Sequence, residues 1–338
     1  MIKKLTVMAF ITALTIASTL SPALASPVKL TYSNFFPPTH IQSQLAAEWC
    51  QEVEKRTNGQ VVVDYFPGGT LTSAKQCYDG VVDYMSDIGM SALAYSRGRF
   101  PVMAAVDLPL GYSTGLAATQ VANAVFNEFK PKELSDTHVL FFHAHGPGLL
   151  HTAETPVTST EDMKGLKVRA TGNSAKVVSA LGGTPVAMSM PDSYQSIRKG
   201  IVNGGMYPIE TNKGWRMAEV VDFCTDTHAV SYTTTFFVTM NKDKWSEIPA
   251  DAQKIITELS VEFAERHGRA WDESDAEGRA YFLEQGNEIV TLEQSEATKW
   301  KEAMQPIIDE YVADADKKRI NGREVVDFAV QKLAETIE

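Results

Sequence analysis

The chain has 338 residues, of which 44% are hydrophobic and 22% are charged, and its formal net charge is −11. This length and composition suit a globular protein of two domains. The acidity argues against binding to a nucleic-acid backbone or to an anionic membrane surface, although a single buried arginine can still reverse the local field. We therefore expect no nucleic-acid partner.

The first 25 residues have the pattern of an export signal. Lys3 and Lys4 precede an apolar run over residues 7–20, and an Ala-Leu-Ala cleavage signal ends at Ala25. The run is too short for a membrane-spanning helix, no cysteine follows it for lipid attachment, and no later run is long enough to cross a bilayer. We predict cleavage before Ser26, which lowers the charge to −13 because two lysines are lost. The mature protein should be soluble, outside the cytoplasm and not inserted in a membrane.

Strand and helix patterns alternate along the first half of the chain. Ile41, Leu45 and Trp49 recur every four residues, which predicts an amphipathic helix. We predict strands over residues 28–34, 61–66, 87–90 and 138–145, and helices over residues 40–57 and 73–84. This alternation is typical of parallel sheets covered by helices.

A second α/β unit begins near His151. We predict strands over residues 166–169, 185–188 and 204–208, and helices over residues 175–181 and 193–199. The β-rich stretch 233–240 is placed to cross back to the first unit, and the chain after Pro249, a suitable first helical residue, should be almost wholly helical. Two α/β lobes joined in this way leave a cleft, where small ligands usually bind.

We expect lobe 1 to comprise residues 26–150 and about 235–270. Lobe 2 should comprise residues 151–234 and about 271–338, which include a helical C-terminal wrap. Of the three cysteines, Cys50 and Cys77 are the likeliest pair for a disulfide in an oxidising compartment, with two buried thiols as the alternative, and Cys224 should be buried and free.

Arg169 is the residue with the clearest chemical meaning. It ends a short apolar strand and is followed directly by Ala-Thr-Gly-Asn. A guanidinium there presents a planar fork of two donors, which matches a carboxylate better than other common ligand groups. The alternatives are an ordinary surface charge and an ion pair that stabilises a lobe.

Seven segments in order carry a resemblance to a known family. They read VEKRTNGQVVVDYFPGGTL, VDYMSDIGM, FPVMAAVDLPLGY, DMKGLKVRA, LGGTPVAM, GIVNGGMYP and MNKDKWSEIPADAQ. Together they resemble the DctP-type extracytoplasmic solute receptors of tripartite ATP-independent periplasmic (TRAP) transporters, over nearly the whole mature sequence.

The resemblance implies a two-lobed α/β fold like that of other periplasmic binding proteins, with crossing strands and a long helix that spans both lobes. It implies a periplasmic receptor that closes around an organic acid and delivers it to a TRAP membrane permease. We expect a monomer without a cofactor. Arg169 matches the family arginine that grips the ligand carboxylate.

Several positions depart from the family pattern. Tyr207 stands where an asparagine commonly binds the ligand, and Leu150 stands where receptors for sugar acids carry a second arginine. Ser91 and Ala92 replace a polar acid of those receptors, and Met190 falls on a position that packs against the ligand. The resemblance, with these exchanges, implies a pocket that is less charged and more apolar than a sugar-acid site.

Phe35 and Phe36 follow the first strand and are candidates for aromatic walls, with ordinary core or lid packing as the alternative. His40, beside them, is a weaker candidate. We predict a monocarboxylate with a bulky apolar or aromatic body, such as an aryl-acetate, an aryl-pyruvate or a branched-chain 2-oxo acid. Tyr207 or Ser91 could bind its keto or hydroxyl group.

Other functions have less support. His143 and His145 share a strand face near His151, but a fourth metal ligand is missing, so we expect a polar strand end and no metal site. No Walker loop, HExxH motif or spaced carboxylate pair favours an enzyme. A partner protein of a sensor system would have the same fold and pocket.

Overall fold

The computed structural model of the chain describes residues 26–336, so the predicted export signal lies outside the described residues. The strands are β1 Val28–Asn34, β2 Val61–Phe66, β3 Ile88–Ala92, β4 Thr137–Ala144, β5 Gly148–Thr152, β6 Lys167–Ala170, β7 Thr184–Ala187, β8 Gly204–Pro208, β9 Phe223–Asp226, β10 Thr235–Asn241 and β11 Glu288–Thr291. The α-helices are α1 Ile41–Arg56, α2 Cys77–Val82, α3 Gly115–Phe129, α4 Asn173–Ala180, α5 Ser193–Arg198, α6 Thr211–Gly214, α7 Lys242–Glu247, α8 Ala250–Glu284, α9 Gln294–Glu302, α10 Gln305–Lys317 and α11 Gly322–Glu335.

The strands form two sheets, each with helices packed against it. The first sheet has the order β2-β1-β3-β10-β4 and the second has the order β11-β9-β5-β8-β6-β7. The predicted α/β fold with two lobes and crossing strands is therefore confirmed. The limits that we predicted for the lobes stay a prediction.

Both sheets are mixed, so the expectation of parallel sheets was wrong. In the first sheet β10 runs antiparallel to both of its neighbours, and in the second sheet β5 does the same. These two reversed strands are the ones that enter each sheet after a crossing from the other, at residues 145–147 and 227–234. A strand that arrives from the opposite side meets its new neighbours in the reverse direction.

Local sequence signals explain the elements that were predicted closely. The apolar stripe of α1 is buried, and the imidazole of His40 caps this helix by accepting the backbone N–H of Gln42. β1, β2 and β8 span the predicted residues. Cys224 is buried and free, as expected.

Some elements differ from their predictions. The helix expected over residues 73–84 is limited to α2, because the backbone N–H of Thr72 donates to the Ser33 hydroxyl and holds the preceding segment as a loop. Pro249 caps α8 rather than beginning it. The C-terminal region also contains one short strand, β11, which pairs in parallel with the edge of β9.

The long helix α8 links the two halves of the molecule. Its 35 residues correspond to about 50 Å of length, enough to cross both sheets. It packs against α1, α3 and β4 on one side and against α6 and β11 on the other. Gly278 permits the closest approach, because a Cβ there would lie 2.5 Å from the backbone of Glu210.

The Cys50–Cys77 pairing does not form, since all three cysteines are free and buried. Cys50 belongs to one hydrophobic cluster and Cys77 to the other. The Cys77 sulfur lies 3.6 Å from the Met90 carbonyl oxygen, and burial raises the pKa of this thiol to about 12. Within residues 26–336, no helix is both long and apolar enough to cross a membrane.

Candidate ligand-binding site

A cavity is lined by residues from both sheets. Its lining comes from β6, β8 and β10, from the segments that follow β1, β3, β4, β6, β7 and β8, from the crossing into β10, and from the middle of α8. The lining residues are Phe35, Phe36, Tyr95, His145, Arg169, Thr171, Met190, Met206, Tyr207, Pro208, Glu210, Thr211, Trp215, Tyr232, Thr234, Phe236 and Trp271.

Arg169 lies near the carboxyl end of β6 and is only 4% exposed. Its Nε donates to the Met188 carbonyl at 3.1 Å and its Nη1 donates to the Met206 carbonyl at 3.0 Å. These two bonds fix the plane of the guanidinium and leave three of its five N–H donors for other acceptors.

The positive charge of Arg169 has no counter-ion among the described residues. No carboxylate within residues 26–336 lies within 4.0 Å of the guanidinium. A buried charge without a partner is costly, and arginine cannot escape that cost by losing its proton. The arrangement is therefore suited to an anion that enters the cavity.

Neutral polar groups surround this charge. Burial raises the pKa of Tyr95 and Tyr232, so that both phenols stay protonated. Burial, with a smaller contribution from the charge of Arg169, lowers the pKa of His145 to about 4. His145 Nδ1 lies 2.6 Å from the Gly146 carbonyl, to which it donates, so Nε2 remains an acceptor.

Aromatic rings form much of the remaining wall. The rings of Phe35 and Phe36 lie 4.2 Å apart, and Phe35 stacks on Trp215 at 6.0 Å. Phe236 stacks on Trp271 at 5.4 Å. Such walls favour a flat apolar ligand over a hydrated one, because water gains nothing from contact with them.

Tyr207 lines the cavity and its ring stacks on His151 at 4.2 Å. Its hydroxyl is buried and has no hydrogen-bond partner among the described residues. Burial holds the pKa of this phenol well above its usual range, so the hydroxyl keeps its proton and can donate.

Five of the predicted site residues line the cavity: Arg169, Tyr207, Met190, Phe35 and Phe36. The other four do not. Leu150 and Ala92 are core residues on β5 and β3, and the Ser91 hydroxyl is already bonded to the Ala74 carbonyl at 2.6 Å. His40 lies behind the wall, where its Nε2 is 3.1 Å from Glu210 Oε2.

Sequence reasoning missed most of the lining, including Tyr95, Glu210, Trp215, Tyr232, Phe236 and Trp271. It considered His145 only as a metal ligand. These residues come from separate loops and helices, and no spacing along the chain links them. The richness in aromatic residues near the strand ends was the only available signal.

The histidine cluster is a packing feature of the first sheet. His143 stacks on His267 at 4.5 Å, and its Nδ1 accepts from the Trp271 indole at 3.0 Å. Burial holds the pKa of His143 well below its usual range and lowers that of His267 to about 3. In the part of the chain that the structure describes, no group of three or more His, Cys, Asp or Glu residues is placed to hold a metal.

One serine motif was not identified from the sequence. Residues 111–115 form a Gly-x-Ser-x-Gly sequence, which in some hydrolases presents a nucleophilic serine between a strand and a helix. Here no strand leads directly into the motif, and Ser113 is exposed in the loop before α3. No described histidine hydrogen-bonds to it, so the motif lacks the context of a nucleophile.

The sequence was compared with known families and proteins. The family described as "Bacterial extracellular solute-binding protein, family 7" (DctP) matches residues 32–314. The C4-dicarboxylate-binding periplasmic protein DctP of Rhodobacter capsulatus is 27% identical over 313 residues, which cover 88% of this chain and 90% of that protein.

Solved structures give the same result. A TRAP solute-binding protein from Rhodoferax ferrireducens in complex with copurified benzoate is 28% identical, with a TM-score of 0.86 over 91% of this chain and 98% of that one. A TRAP periplasmic solute-binding protein from Bordetella bronchiseptica with bound (R)- and (S)-mandelate is 27% identical, with a TM-score of 0.86 over 92% and 100%.

The family match covers far more than half of the chain. The relatives are solute-binding proteins of transporters and not enzymes, and proteins of this kind act in the periplasm with TRAP permeases. The chain therefore belongs to family 7 of the bacterial extracellular solute-binding proteins, the DctP family.

Proposed function

We propose that this receptor captures a monocarboxylic acid with an aromatic or bulky apolar body. The observation that carries the proposal is the buried guanidinium of Arg169, which faces an aromatic cavity and has no carboxylate partner among the described residues. A ligand carboxylate supplies the missing counter-ion, and a bidentate pair also fixes the orientation of the ligand.

The charges of the lining support one carboxylate rather than two. Among the described residues, Arg169 is the only arginine or lysine that lines the cavity, and Glu210 would repel a second carboxylate. A C4-dicarboxylate, which the Rhodobacter capsulatus relative is named for, would leave one of its charges without a partner. We therefore expect dicarboxylates to bind poorly.

The apolar walls support an aromatic body. The two structural relatives described above were solved with benzoate and with mandelate, both aromatic monocarboxylates. The unpartnered hydroxyl of Tyr207 can bind a 2-oxo or 2-hydroxy group beside the carboxylate, whereas the Ser91 hydroxyl is already bonded.

Transport requires that the ligand be enclosed and then released. Because the lining comes from both sheets, separation of the two lobes would open the cavity, and a ligand that contacts both would favour closure. We propose that the loaded receptor, as a monomer, delivers the acid to a TRAP permease.

A thermal-shift screen tests this function directly. A ligand that binds only the folded state raises the melting temperature, so aryl-acetates, benzoates and aryl-2-oxo acids should raise it, while succinate and sialic acid should not. The shift should vanish in Arg169→Ala and persist in the control variant Arg323→Ala, whose exposed side chain pairs with Asp309. If succinate or sialic acid outcompetes aromatic acids, the proposed ligand class is wrong.

A further inference from the structure

A second ionisable group lines the cavity and is not used by the proposed grip on the carboxylate. Glu210 precedes α6 and is 2% exposed. Its Oε2 lies 3.1 Å from His40 Nε2. No hydrogen bond to its other oxygen, Oε1, is found within residues 26–336, so this acceptor of the cavity lining is available to a ligand.

The hydrogen bonds of His40 define the charge of this pair. His40 Nδ1 accepts the backbone N–H of Gln42 at 3.2 Å, so the ring proton is on Nε2 and is donated to Glu210. A neutral imidazole orients the carboxylate without cancelling its charge. Asp275 accepts the Glu210 backbone N–H at 3.1 Å, and burial together with the Glu210 charge raises the pKa of Asp275 well above its usual range.

The two charged groups of the cavity have different surroundings. Arg169 lies near Tyr95 and Tyr232, and its positive charge partly offsets the effect of burial on the pKa of both phenols. The His40 ring that holds Glu210 lies 4.6 Å from Phe36 and about 6 Å from the rings of Trp215 and Trp271, at 5.9 and 5.8 Å. The Glu210–His40 pair therefore adjoins the aromatic wall of Phe36, Trp215 and Trp271, and no ion pair joins it to Arg169 within residues 26–336.

We infer that Glu210 is a specificity-determining acceptor for a hydroxyl group on the ring of the ligand, remote from the ligand carboxylate. The receptor then prefers hydroxyaryl acids to the unsubstituted acids. This inference rests on the proposed function, because it requires an aryl acid whose carboxylate is held by Arg169. One free carboxylate oxygen satisfies the single donor of a hydroxyl, whereas an ammonium group brings three donors.

Gly214 allows the pair to form. An ideal Cβ at position 214 would lie 2.6 Å from Glu210 Oε2 and 2.9 Å from His40 Nε2, which is too close for either atom to stay in place. Position 214 ends α6, whose helical backbone accepts alanine. Gly214→Ala should therefore displace the carboxylate without removing it.

The test compares the affinities of phenylacetate, 3-hydroxyphenylacetate and 4-hydroxyphenylacetate, measured by calorimetry. At least one hydroxylated acid should bind the wild-type receptor about tenfold more tightly than phenylacetate, as expected for a hydrogen bond to a charged acceptor. In Glu210→Gln this ratio should fall to about threefold or less, because a neutral acceptor is weaker. Gly214→Ala should lower the ratio as well.

Phe236→Leu is the matched control in the same cavity, and it should weaken all three acids by the same factor and preserve the ratio. The inference would be overturned if wild type bound hydroxylated acids and phenylacetate equally, or if its preference for a hydroxylated acid survived in Glu210→Gln. In either case, binding of phenylacetate would leave the proposed function intact. If 4-(aminomethyl)phenylacetate binds more tightly than the hydroxylated acids, the assignment to a hydroxyl is overturned. Failure of every aryl acid to bind would instead refute the proposed function, and this inference with it.

Discussion

Arg169 and Asp107 are both buried ionisable side chains, but they differ in their hydrogen-bond partners and in whether they can lose their charge. Oδ1 of Asp107 accepts two hydrogen bonds from Thr235, from the backbone N–H at 2.8 Å and from the hydroxyl at 2.7 Å. Burial raises the pKa of Asp107 to about 7. Arg169 has two carbonyl partners and no carboxylate among the described residues.

The difference follows from what each group can do with its charge. An aspartate in an apolar environment can bind a proton and become neutral, so burial at Asp107 serves the fold. A guanidinium stays charged at any physiological pH, so the burial of Arg169 leaves a requirement that only an anion can meet. The cavity around Arg169 is thus organised for a ligand, while the surroundings of Asp107 are complete without one.

The largest effect is expected from Arg169→Gln. Removal of one partner from a buried, hydrogen-bonded charge pair costs about 2–5 kcal/mol, so affinity for an aryl acid should fall about 30-fold or more. Calorimetry on wild type and variant measures this loss. A loss of less than about fivefold would mean that Arg169, like Asp107, contributes to the stability of the folded protein and not to ligand binding.

The second prediction concerns the pH dependence of the free energy of unfolding that Asp107 causes. Because the folded-state pKa is about 7 and the ordinary value is 3.8, this group's contribution to stability is full below pH 3.8 and is lost progressively as the pH rises to about 7. The free energy of unfolding of wild type relative to Asp107→Asn should fall by about 2–3 kcal/mol between pH 5 and pH 8. Urea unfolding at the two pH values measures it, and parallel profiles for the two proteins would contradict the prediction.

A smaller effect is expected at the aromatic wall. Trp215→Ala removes a half-buried ring that stacks on Phe35, and affinity for aromatic acids should fall about tenfold with little change in melting temperature. Trp300→Phe is the matched control, because Trp300 is fully buried in the core and away from the cavity. That variant should lower the melting temperature and leave the affinity unchanged, and the reverse pattern would show that Trp215 is not part of the site.

The smallest effect should come from Tyr207→Phe. Loss of one neutral hydrogen bond should weaken mandelate or phenylpyruvate about fivefold and leave phenylacetate almost unaffected. Competition binding with these acids measures the difference. Equal weakening of all of them would assign Tyr207 to packing alone.

Much of the fold follows from local patterns. The four-residue spacing of α1 and the alternation of β1 predict their limits closely, since each pattern reflects one buried face. Sheet order, the reversal of β5 and β10 and the edge strand β11 could not be predicted, because they depend on pairing between residues far apart in sequence.

The site residues also fall into two groups, those that local sequence patterns reveal and those that depend on contacts between distant segments. Arg169, Phe35 and Phe36 stand at strand ends within recognisable segments, so sequence reasoning could find them. Leu150 and Ala92 were chosen by resemblance to the family pattern, but both are buried among core residues. Glu210 and Trp271 reach the cavity only because α8 crosses the loop after β8, which no local pattern reveals.

The central claim is that the ligand carboxylate supplies the counter-ion of Arg169. The most direct test is a double-mutant cycle that compares phenylacetate with its neutral amide, phenylacetamide, on wild type and on Arg169→Gln. The acid should bind wild type at least 100-fold more tightly than the amide, and this preference should almost vanish in the variant. If acid and amide bind wild type equally, or if the preference persists in Arg169→Gln, Arg169 does not pair with the carboxylate and the account is wrong.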